Sequence, residues 1–355
     1  MLDRTLDTPL YLQLAALLRE DIAAGRLRPG DKLPSESELV ERYGVGRVTV
    51  REALALLVNE GLLRKLQGRG TFVRAAHAGQ PLRIDVLLDL RERTFAPDYL
   101  ESIEGVLRRY GATCVLHNTQ GSDDTAASCI DEAAQAGASG VILRPGPAQD
   151  CPSPRLAAAL RGLADRRVPL MLLDRALDDV DASFAVFDDK AAGSLAAQHF
   201  AECGHLYLAM IGDDARHDAF LRALGFEDYL LQHNYVAPVI ENEAADLGAQ
   251  LQRILRENPE ITGLFCYSDA VAARAVEALR ARGLSVPARI SVVGCDDAAL
   301  ASAVQPKLTT IVHPKAALGA QAAEALLKIL HNPALAPYHQ VFAPSLVIRD
   351  SCSEI

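Results

Sequence analysis

Two arginines four residues apart, Arg47 and Arg51, lie in the stretch Arg47-Val48-Thr49-Val50-Arg51-Glu52-Ala53-Leu54. Helical spacing puts Val50, Ala53, Leu54 and Leu57 on one arc of about 100° and both guanidiniums off it. Two guanidiniums near a helix start, behind the tight turn Gly44-Val45-Gly46, suit a recognition helix entering a DNA major groove. Farther along, Asp174, Asp188 and Asp296 each follow an apolar run: Met171-Leu172-Leu173, Phe184-Ala185-Val186-Phe187 and Val292-Val293-Gly294-Cys295. Carboxylates at strand ends can accept hydrogen bonds from vicinal hydroxyls, and Arg and His can donate to them, which is sugar-binding chemistry. The sequence has no Trp, so Phe95, Phe187, Phe220 and Tyr267, all close to expected strand ends, are the available stacking faces. The plain readings compete: an isolated Arg pair is usually a solvated helix face, and a lone strand-end Asp often caps the next helix.

The elements around the arginines favour the DNA reading. Leu10, Leu14, Leu17, Leu18 and Ile22 fall at helical spacing and predict a helix over 10–24, ending at Gly25. Arg28-Pro29-Gly30-Asp31 reads as a turn. In Pro34-Ser35-Glu36-Ser37-Glu38, Ser35 can cap a second helix while Glu38 reaches back to its amide. That helix turns Leu39, Val40 and Tyr43 inward, and a third runs from the arginines to Asn59, before Gly61. Leu62 to Leu66 and Thr71 to Arg74 flank Gln67-Gly68-Arg69-Gly70, a hairpin whose tip can approach a phosphate or minor groove.

From residue 82 onward, short apolar runs alternate with helical patterns. Strands are expected at 84–90, 112–117, 139–143, 168–173, 183–187, 206–211, 236–240, 262–267, 290–294, 308–312 and 341–349, with helices such as 98–110 and 243–257 between them. The alternation predicts parallel α/β structure, and eleven strands favour two lobes over one sheet. Such lobes bind ligand at the carboxyl ends of their strands, in the crevice between them.

Composition bounds the rest. The chain has 355 residues and a net charge of −10. Residues 1–75 carry 12 Lys/Arg against 10 Asp/Glu, and the remainder 24 against 36. A small basic head thus precedes a large acidic body, with the small-residue stretch 75–81 as linker. Seven cysteines, none in a CxxC pair, read as buried thiols of a reducing cytosol rather than as a disulfide framework or zinc site. The polar start is unlike a signal peptide, and no apolar run is long enough to span a membrane. Dinucleotide, P-loop, nucleophile-elbow and zincin motifs are absent, and adjacent Asp pairs are ordinary loop and cap residues. Catalysis, metal and cofactor are therefore not expected.

Pro9-Leu10-Tyr11, Pro29-Gly30-Asp31-Lys32-Leu33-Pro34-Ser35-Glu36, Arg47 to Leu54 and Gln67-Gly68-Arg69-Gly70-Thr71-Phe72-Val73 resemble the winged helix-turn-helix of the GntR family. The resemblance implies DNA contacts from Arg47, Thr49 and Arg51 on the recognition helix and from Gly68 and Arg69 on the wing. Ser37, where many members carry a DNA-contacting arginine, joins this set. Gly46 stands where a Ser, Thr or Asn often caps.

A second resemblance covers nearly all of 82–352. Asp174-Arg175, Asp188-Asp189-Lys190-Ala191-Ala192-Gly193, Cys203-Gly204-His205, Arg222-Ala223-Leu224-Gly225-Phe226, Tyr267-Ser268-Asp269, Ser291 to Asp297, Leu308-Thr309-Thr310-Ile311 and Pro344 to Arg349 are similar to the effector domain of LacI/GalR repressors. That implies a periplasmic-binding-protein-like body crossed three times, near 187–189, 312–314 and 343–345. One lobe would take 82–187 and 314–342, the other 188–312 and 344–355. Carried over by position, Phe95, Asp174, Arg216, Tyr267, Asp296 and His313 face the effector.

A GntR-type head (1–75) on a LacI-type body (82–355), joined by a 76–81 linker without a hinge helix, resembles arabinose-responsive repressors of Gram-positive bacteria. The resemblance implies a cytoplasmic homodimeric repressor. A small sugar, such as the pentose L-arabinose, would release it from a palindromic double-stranded DNA operator. A sugar-transport component or a sugar-modifying enzyme would share the body but have no use for the head.

Overall fold

A computed structural model describes residues 8–23, 26–27, 31–60, 62–66, 70–73, 82–92, 95–147 and 151–355. Residues 28–30 of the turn expected over 28–31, Gly25, Gly61, Gly68 and Arg69 of the expected wing tip, and the expected 76–81 linker lie outside the described residues.

Among the described residues the head has three helices, α1 (Leu10–Ala23), α2 (Glu36–Tyr43) and α3 (Arg47–Asn59), and two wing strands, β1 (Leu63–Leu66) and β2 (Gly70–Val73). α2 starts where its sequence says: Glu38 N donates to Ser35 Oγ (3.3 Å) and Ser35 N to Glu38 Oε2 (2.6 Å), closing the capping box. Such a cap contributes about 1 kcal/mol. Gly44 ends the helix at φ 64°, a left-handed conformation that glycine adopts without steric cost. Leu14, Leu18, Leu39, Val50, Ala53, Leu57 and Val73 form the core of the head. That core fixes which face of α3 is left outside.

The body contains twelve strands among the described residues. The first sheet has the order β13-β7-β6-β5-β3-β4, all parallel. Its strands are β3 (Arg83–Leu88), β4 (Thr113–Asn118), β5 (Gly140–Leu143), β6 (Leu170–Asp174), β7 (Ser183–Phe187) and β13 (His339–Phe342). The helices α4 (Ala96–Arg109), α5 (Asp123–Gln135), α6 (Pro154–Asp165) and α12 (Lys315–His331) belong to this lobe.

The second sheet has the order β14-β12-β11-β10-β8-β9. Here β8 (Leu208–Gly212), β9 (Val239–Asn242), β10 (Gly263–Cys266), β11 (Ser291–Asp296) and β12 (Thr309–Val312) are parallel, and β14 (Ser345–Val347) is antiparallel to β12. Its helices are α7 (Asp189–Glu202), α8 (His217–Gln232), α9 (Leu247–Glu257), α10 (Asp269–Arg280) and α11 (Ala299–Ala303).

The chain passes between the sheets after β7, after β12 and between β13 and β14. The expected single strand over 341–349 is therefore two strands in different sheets. The apolar runs Val341-Phe342-Ala343 and Leu346-Val347-Ile348 read as one strand, but Pro344 between them offers no amide to a ladder.

Parallel order puts the carboxyl ends of each sheet on one edge. In the first sheet the winding reverses between β3 and β5, and in the second between β8 and β10. Those switch points are where open α/β sheets leave a crevice for ligand.

Close packing of α7 on α8 fixes part of the crevice. A Cβ on Gly193 would lie 1.9 Å from the Arg222 carbonyl oxygen, and one on Gly225 1.8 Å from that of Lys190. Only glycine permits backbones so near, and their approach brings the base of Arg222 against the start of α7.

Candidate functional site

On α3 the apolar arc faces the core and leaves Arg47, Val48, Arg51 and Glu52 exposed, with Thr49 half-buried beside them. Arg47 Nη2 donates to Ser37 Oγ at 3.3 Å, so these two candidates share one surface. Arg51 Nε donates to Glu36 Oε2 at 2.8 Å, and Lys65 of the wing strand lies 3.5 Å from Glu36 Oε1. Arg51 holds the Glu36 carboxyl below its ordinary range. Exposed pairs of this kind hold together by about 1 kcal/mol or less, so a phosphate competes for the same cations. Gly46, at the N-cap of α3, makes no side-chain cap bond, leaving the first amides of the recognition helix free of one.

The second constellation lines the facing carboxyl ends of the two sheets. Asp174 ends β6 at φ 68° and Asp296 ends β11 at φ 119°, conformations unusual for residues with side chains. Asp174 Oδ2 accepts from Arg144 Nε at 2.8 Å, and its Oδ1 lies 2.7 Å from His313 Nε2. Burial would raise this carboxyl, but His313 and Arg144 outweigh burial and hold it well below the usual carboxylate range.

His313, in the second crossing, is stacked on Phe187 (ring centroids 4.4 Å) and meets the edge of Phe95 (5.3 Å). Its Nε2 is also 3.2 Å from the Tyr99 hydroxyl. The Arg144 guanidinium covers the Phe95 ring at 5.3 Å, and Lys315 Nζ lies 4.9 Å from the same centroid. Both cations are attracted to the π-system of Phe95.

On the other lobe, Arg222 is fully buried. Its Nε donates to Asp189 Oδ1 at 2.8 Å, and its Nη1 donates to the Tyr267 carbonyl at 2.6 Å and lies 3.5 Å from Asp296 Oδ1. Burial raises the Asp296 carboxyl against the opposing charges of Arg222 and Lys315. Tyr267 donates its hydroxyl to Glu243 at 3.4 Å, and burial with that carboxylate nearby pushes the phenol up to about 12. Arg216, at the N-cap of α8, grips Asp218 through Nε (3.1 Å) and Nη2 (2.9 Å).

The lobes touch. Arg216 Nη1 lies 3.2 Å from Glu92 Oε1, Glu92 also pairs with Arg144, and His217 N donates to the Pro147 carbonyl at 2.8 Å. The charged groups of the crevice therefore satisfy one another across it. His313 Nδ1 and Arg222 Nη2 are among the buried side-chain atoms that have no hydrogen-bond partner among the described residues. A hollow of about 1820 Å³ opens elsewhere, at the amino ends of the first sheet's strands beside Arg83, Ser139, Pro169 and Ser183.

Residues 10–73 match the description "Bacterial regulatory proteins, gntR family", and residues 197–352 match "Periplasmic binding protein-like domain". The chain is 30% identical, over all of both chains, to the arabinose metabolism transcriptional repressor of Geobacillus stearothermophilus. It is 27% identical to the repressor of the same name from Halalkalibacterium halodurans, over 95% of each. The chain belongs to this family of GntR-type transcriptional regulators. The chain also superposes on one chain of a lac repressor dimer bound to operator and the anti-inducer ONPF, with a TM-score of 0.67 and 24% identity. That match covers 78% of this chain and 96% of the other, and establishes a shared two-lobed fold.

In this GntR-type regulator the structure gathers Phe95, Asp174 and His313 into one cluster, and Tyr267 and Asp296 into a second around Arg222. Arg216 bridges toward the first through Glu92. Asp188, the third strand-end carboxylate of the sequence reading, is instead spent on the cap of α7, accepting from Ala191 N at 2.9 Å; its neighbour Asp189 is the one that reaches Arg222. Phe220 is exposed on α8.

The sequence pattern gives no contact role to Val48, Glu92, Tyr99, Arg144, Asp189, Arg222 or Lys315, although Val48, Asp189 and Arg222 stand inside the motifs that carry the resemblances. Arg144 directly follows β5 and had the same strand-end signal as Asp174. Val48 is 69% exposed on α3, an apolar group where a thymine methyl could lie, and only its place beside Arg47 pointed to it.

Proposed function

We propose that this regulator is a cytoplasmic repressor that a small sugar, a pentose such as L-arabinose, releases from a palindromic operator. The carrying observation is one chain that joins an exposed arginine-bearing recognition helix to a crevice of strand-end carboxylates, guanidiniums and aromatic rings. In this reading 1–75 is the head, 76–81 the linker and 82–355 the effector domain, with lobes of 82–187 with 314–342 and of 188–312 with 344–355. Arg47, Thr49, Arg51, Ser37, Gly68 and Arg69 serve DNA. Phe95, Asp174, Arg216, Tyr267, Asp296 and His313 serve the sugar.

Vicinal hydroxyls can exchange for the crevice's own pairs, donating to Asp174 and Asp296 and accepting from Arg216 and Arg222. The unpartnered His313 Nδ1 and Arg222 Nη2 offer further places. Nothing in this cycle calls for a cofactor or a bond-making step. A homodimer sets two heads against two half-sites, and a change of lobe angle alters their spacing. Sugar and operator then weaken each other by the same factor.

The test is a thermal-shift screen of monosaccharides and their phosphates, followed by fluorescence anisotropy on DNA from upstream of the protein's own gene. A specific sugar at 100 times its Kd should stabilise the protein by about 2.7 kcal/mol. The same sugar should weaken DNA binding at constant salt. Stabilisation with unchanged DNA affinity would refute the coupling, and turnover of the bound sugar would replace the repressor with an enzyme.

A further inference from the structure

At the end of α7 away from the crevice, three side chains meet that the sequence keeps apart: His199, Cys203 and Cys352. Their nitrogen and sulfur atoms all lie within 4.8 Å of one another. His199 and Cys203 are four residues apart, so they share one face of the last helical turn. Cys352 arrives on the C-terminal segment, which is fixed on both sides of it. Ser351 Oγ donates to the Val292 carbonyl (2.6 Å), Ser353 N to Ser291 Oγ (3.1 Å), and Ile355 N to the Cys203 carbonyl (3.0 Å).

The imidazole is the telling group. His199 is 5% exposed, yet among the described residues its ring nitrogens have one hydrogen-bond partner, the Cys203 sulfur at 3.9 and 4.0 Å. A buried histidine ordinarily holds a carbonyl, hydroxyl or carboxylate. His205, two residues beyond Cys203, does so, bonding Thr262 Oγ1 at 2.8 Å and the Ser353 carbonyl at 3.1 Å. The two thiols are half-buried, so an ion can reach them.

We propose that His199, Cys203 and Cys352 bind one thiophilic divalent cation of the Zn²⁺ type, with its fourth position open to solvent. A tetrahedral ion about 2.3 Å from sulfur and about 2.0 Å from nitrogen needs ligand atoms roughly 3.5–3.8 Å apart. The His199–Cys203 nitrogen–sulfur distances, 3.9 and 4.0 Å, are a few tenths of an ångström longer, and no separation in the set exceeds 4.8 Å, so side-chain rotations must close it by up to about 1 Å on binding. Each thiol gives its proton to solvent on binding and the imidazole uses a neutral lone pair, so two thiolates balance the ion's charge with no redox step. The ion would clip the C-terminal segment to α7. α7, 14 residues and about 20 Å long, also carries Asp189 at the crevice.

The full-length protein, stripped with chelator and kept reduced, is titrated with Co²⁺. The expected result is one equivalent bound, with near-ultraviolet thiolate-to-cobalt absorption and tetrahedral visible bands, all erased by one equivalent of Zn²⁺. Cys203→Ser and Cys352→Ser should each remove most of the charge-transfer absorption, whereas Cys151→Ser, at an exposed position elsewhere, should keep it. A wild-type titration without thiolate-to-cobalt absorption overturns the proposal, and so does an undiminished band in a folded Cys352→Ser protein. Circular dichroism establishes that each variant is folded. Should one serine variant not fold, the other cysteine variant and the wild-type spectrum still decide.

Discussion

Arg216 Nη1 stands 3.2 Å from Glu92 Oε1, and this ion pair joins the two lobes across the crevice. Glu92 also engages Arg144, which in turn holds Asp174. One carboxylate thus neutralises a guanidinium from each lobe, and a sugar entering between them must displace it. Glu92→Gln keeps the size and removes the charge. A charge-assisted hydrogen bond of this kind contributes about 1.5–3 kcal/mol. The variant should therefore bind sugar more tightly, by roughly tenfold, and show a larger sugar-free radius of gyration by X-ray scattering. An unchanged radius and affinity would show that the pair does not oppose opening.

The operator face should respond independently. Arg51 leans on Glu36 through an exposed pair, so its guanidinium exchanges partners at little cost. Arg51→Ala should weaken operator binding and lower the slope of log affinity against log salt by about one, as loss of one phosphate contact does. Sugar affinity should stay the same. Anisotropy across a salt series, with calorimetry for the sugar, reads both. An intact salt slope would mean that Arg51 touches no phosphate.

The contrast between these two surfaces shows what could be read from the chain. The head is local: Ser35 and Glu38 are three apart, Arg47 and Arg51 four apart, and each pairing is fixed by one helix. Its helix start and the placement of both arginines on one face follow from spacing, whereas the Arg51–Glu36 and Lys65–Glu36 pairs join separate elements. The crevice is assembled from strand ends far apart in sequence, and there the strand-end rule located Asp174 and Asp296 but could not tell Asp188 from Asp189. Which of those two caps α7 depends on where the helix starts, and a single residue moves the other side chain into the site. Arg222 was visible as a motif and not as a ligand-facing group, because its role comes from the glycine-mediated approach of α7 and α8. The break between β13 and β14 was hidden for a related reason: which sheet a strand joins is decided by the crossing and not by the strand's own pattern.

Asp269 supplies a pH dependence. Its Oδ1 accepts from Thr310 Oγ1 at 2.6 Å and its Oδ2 from Ala298 N at 2.8 Å, on the α10 side of Asp296. Burial, with the Asp296 charge added, pushes this carboxyl up to about 7. Between its unfolded value near 4 and that point, the folded protein holds a proton that the unfolded chain has lost, so stability falls as pH rises. Asp269→Asn mimics the protonated acid and removes the dependence. Its melting temperature relative to wild type should rise between pH 5 and pH 8.5. A difference that stays level across that range would place the Asp269 carboxyl at an ordinary value.

Gly225 tests whether the approach of α7 to α8 builds the site. A methyl group there would sit 1.8 Å from the Lys190 carbonyl oxygen, a backbone atom that cannot swing aside. Gly225→Ala must push the helices apart, at a cost of about 1–3 kcal/mol or more. The shift also draws Arg222 from Asp189 and from the Tyr267 carbonyl, so sugar affinity should fall together with the melting temperature. Gly105, in the interior of α4, provides the control: beyond the backbone of its own helix and its chain neighbours, nothing lies within 4 Å of its would-be Cβ. Gly105→Ala should raise stability by up to about 1 kcal/mol through helix propensity and leave sugar binding unchanged. Equal melting and equal sugar affinity for the two variants would mean that the helices can separate freely and that Arg222 is positioned by something other than their contact.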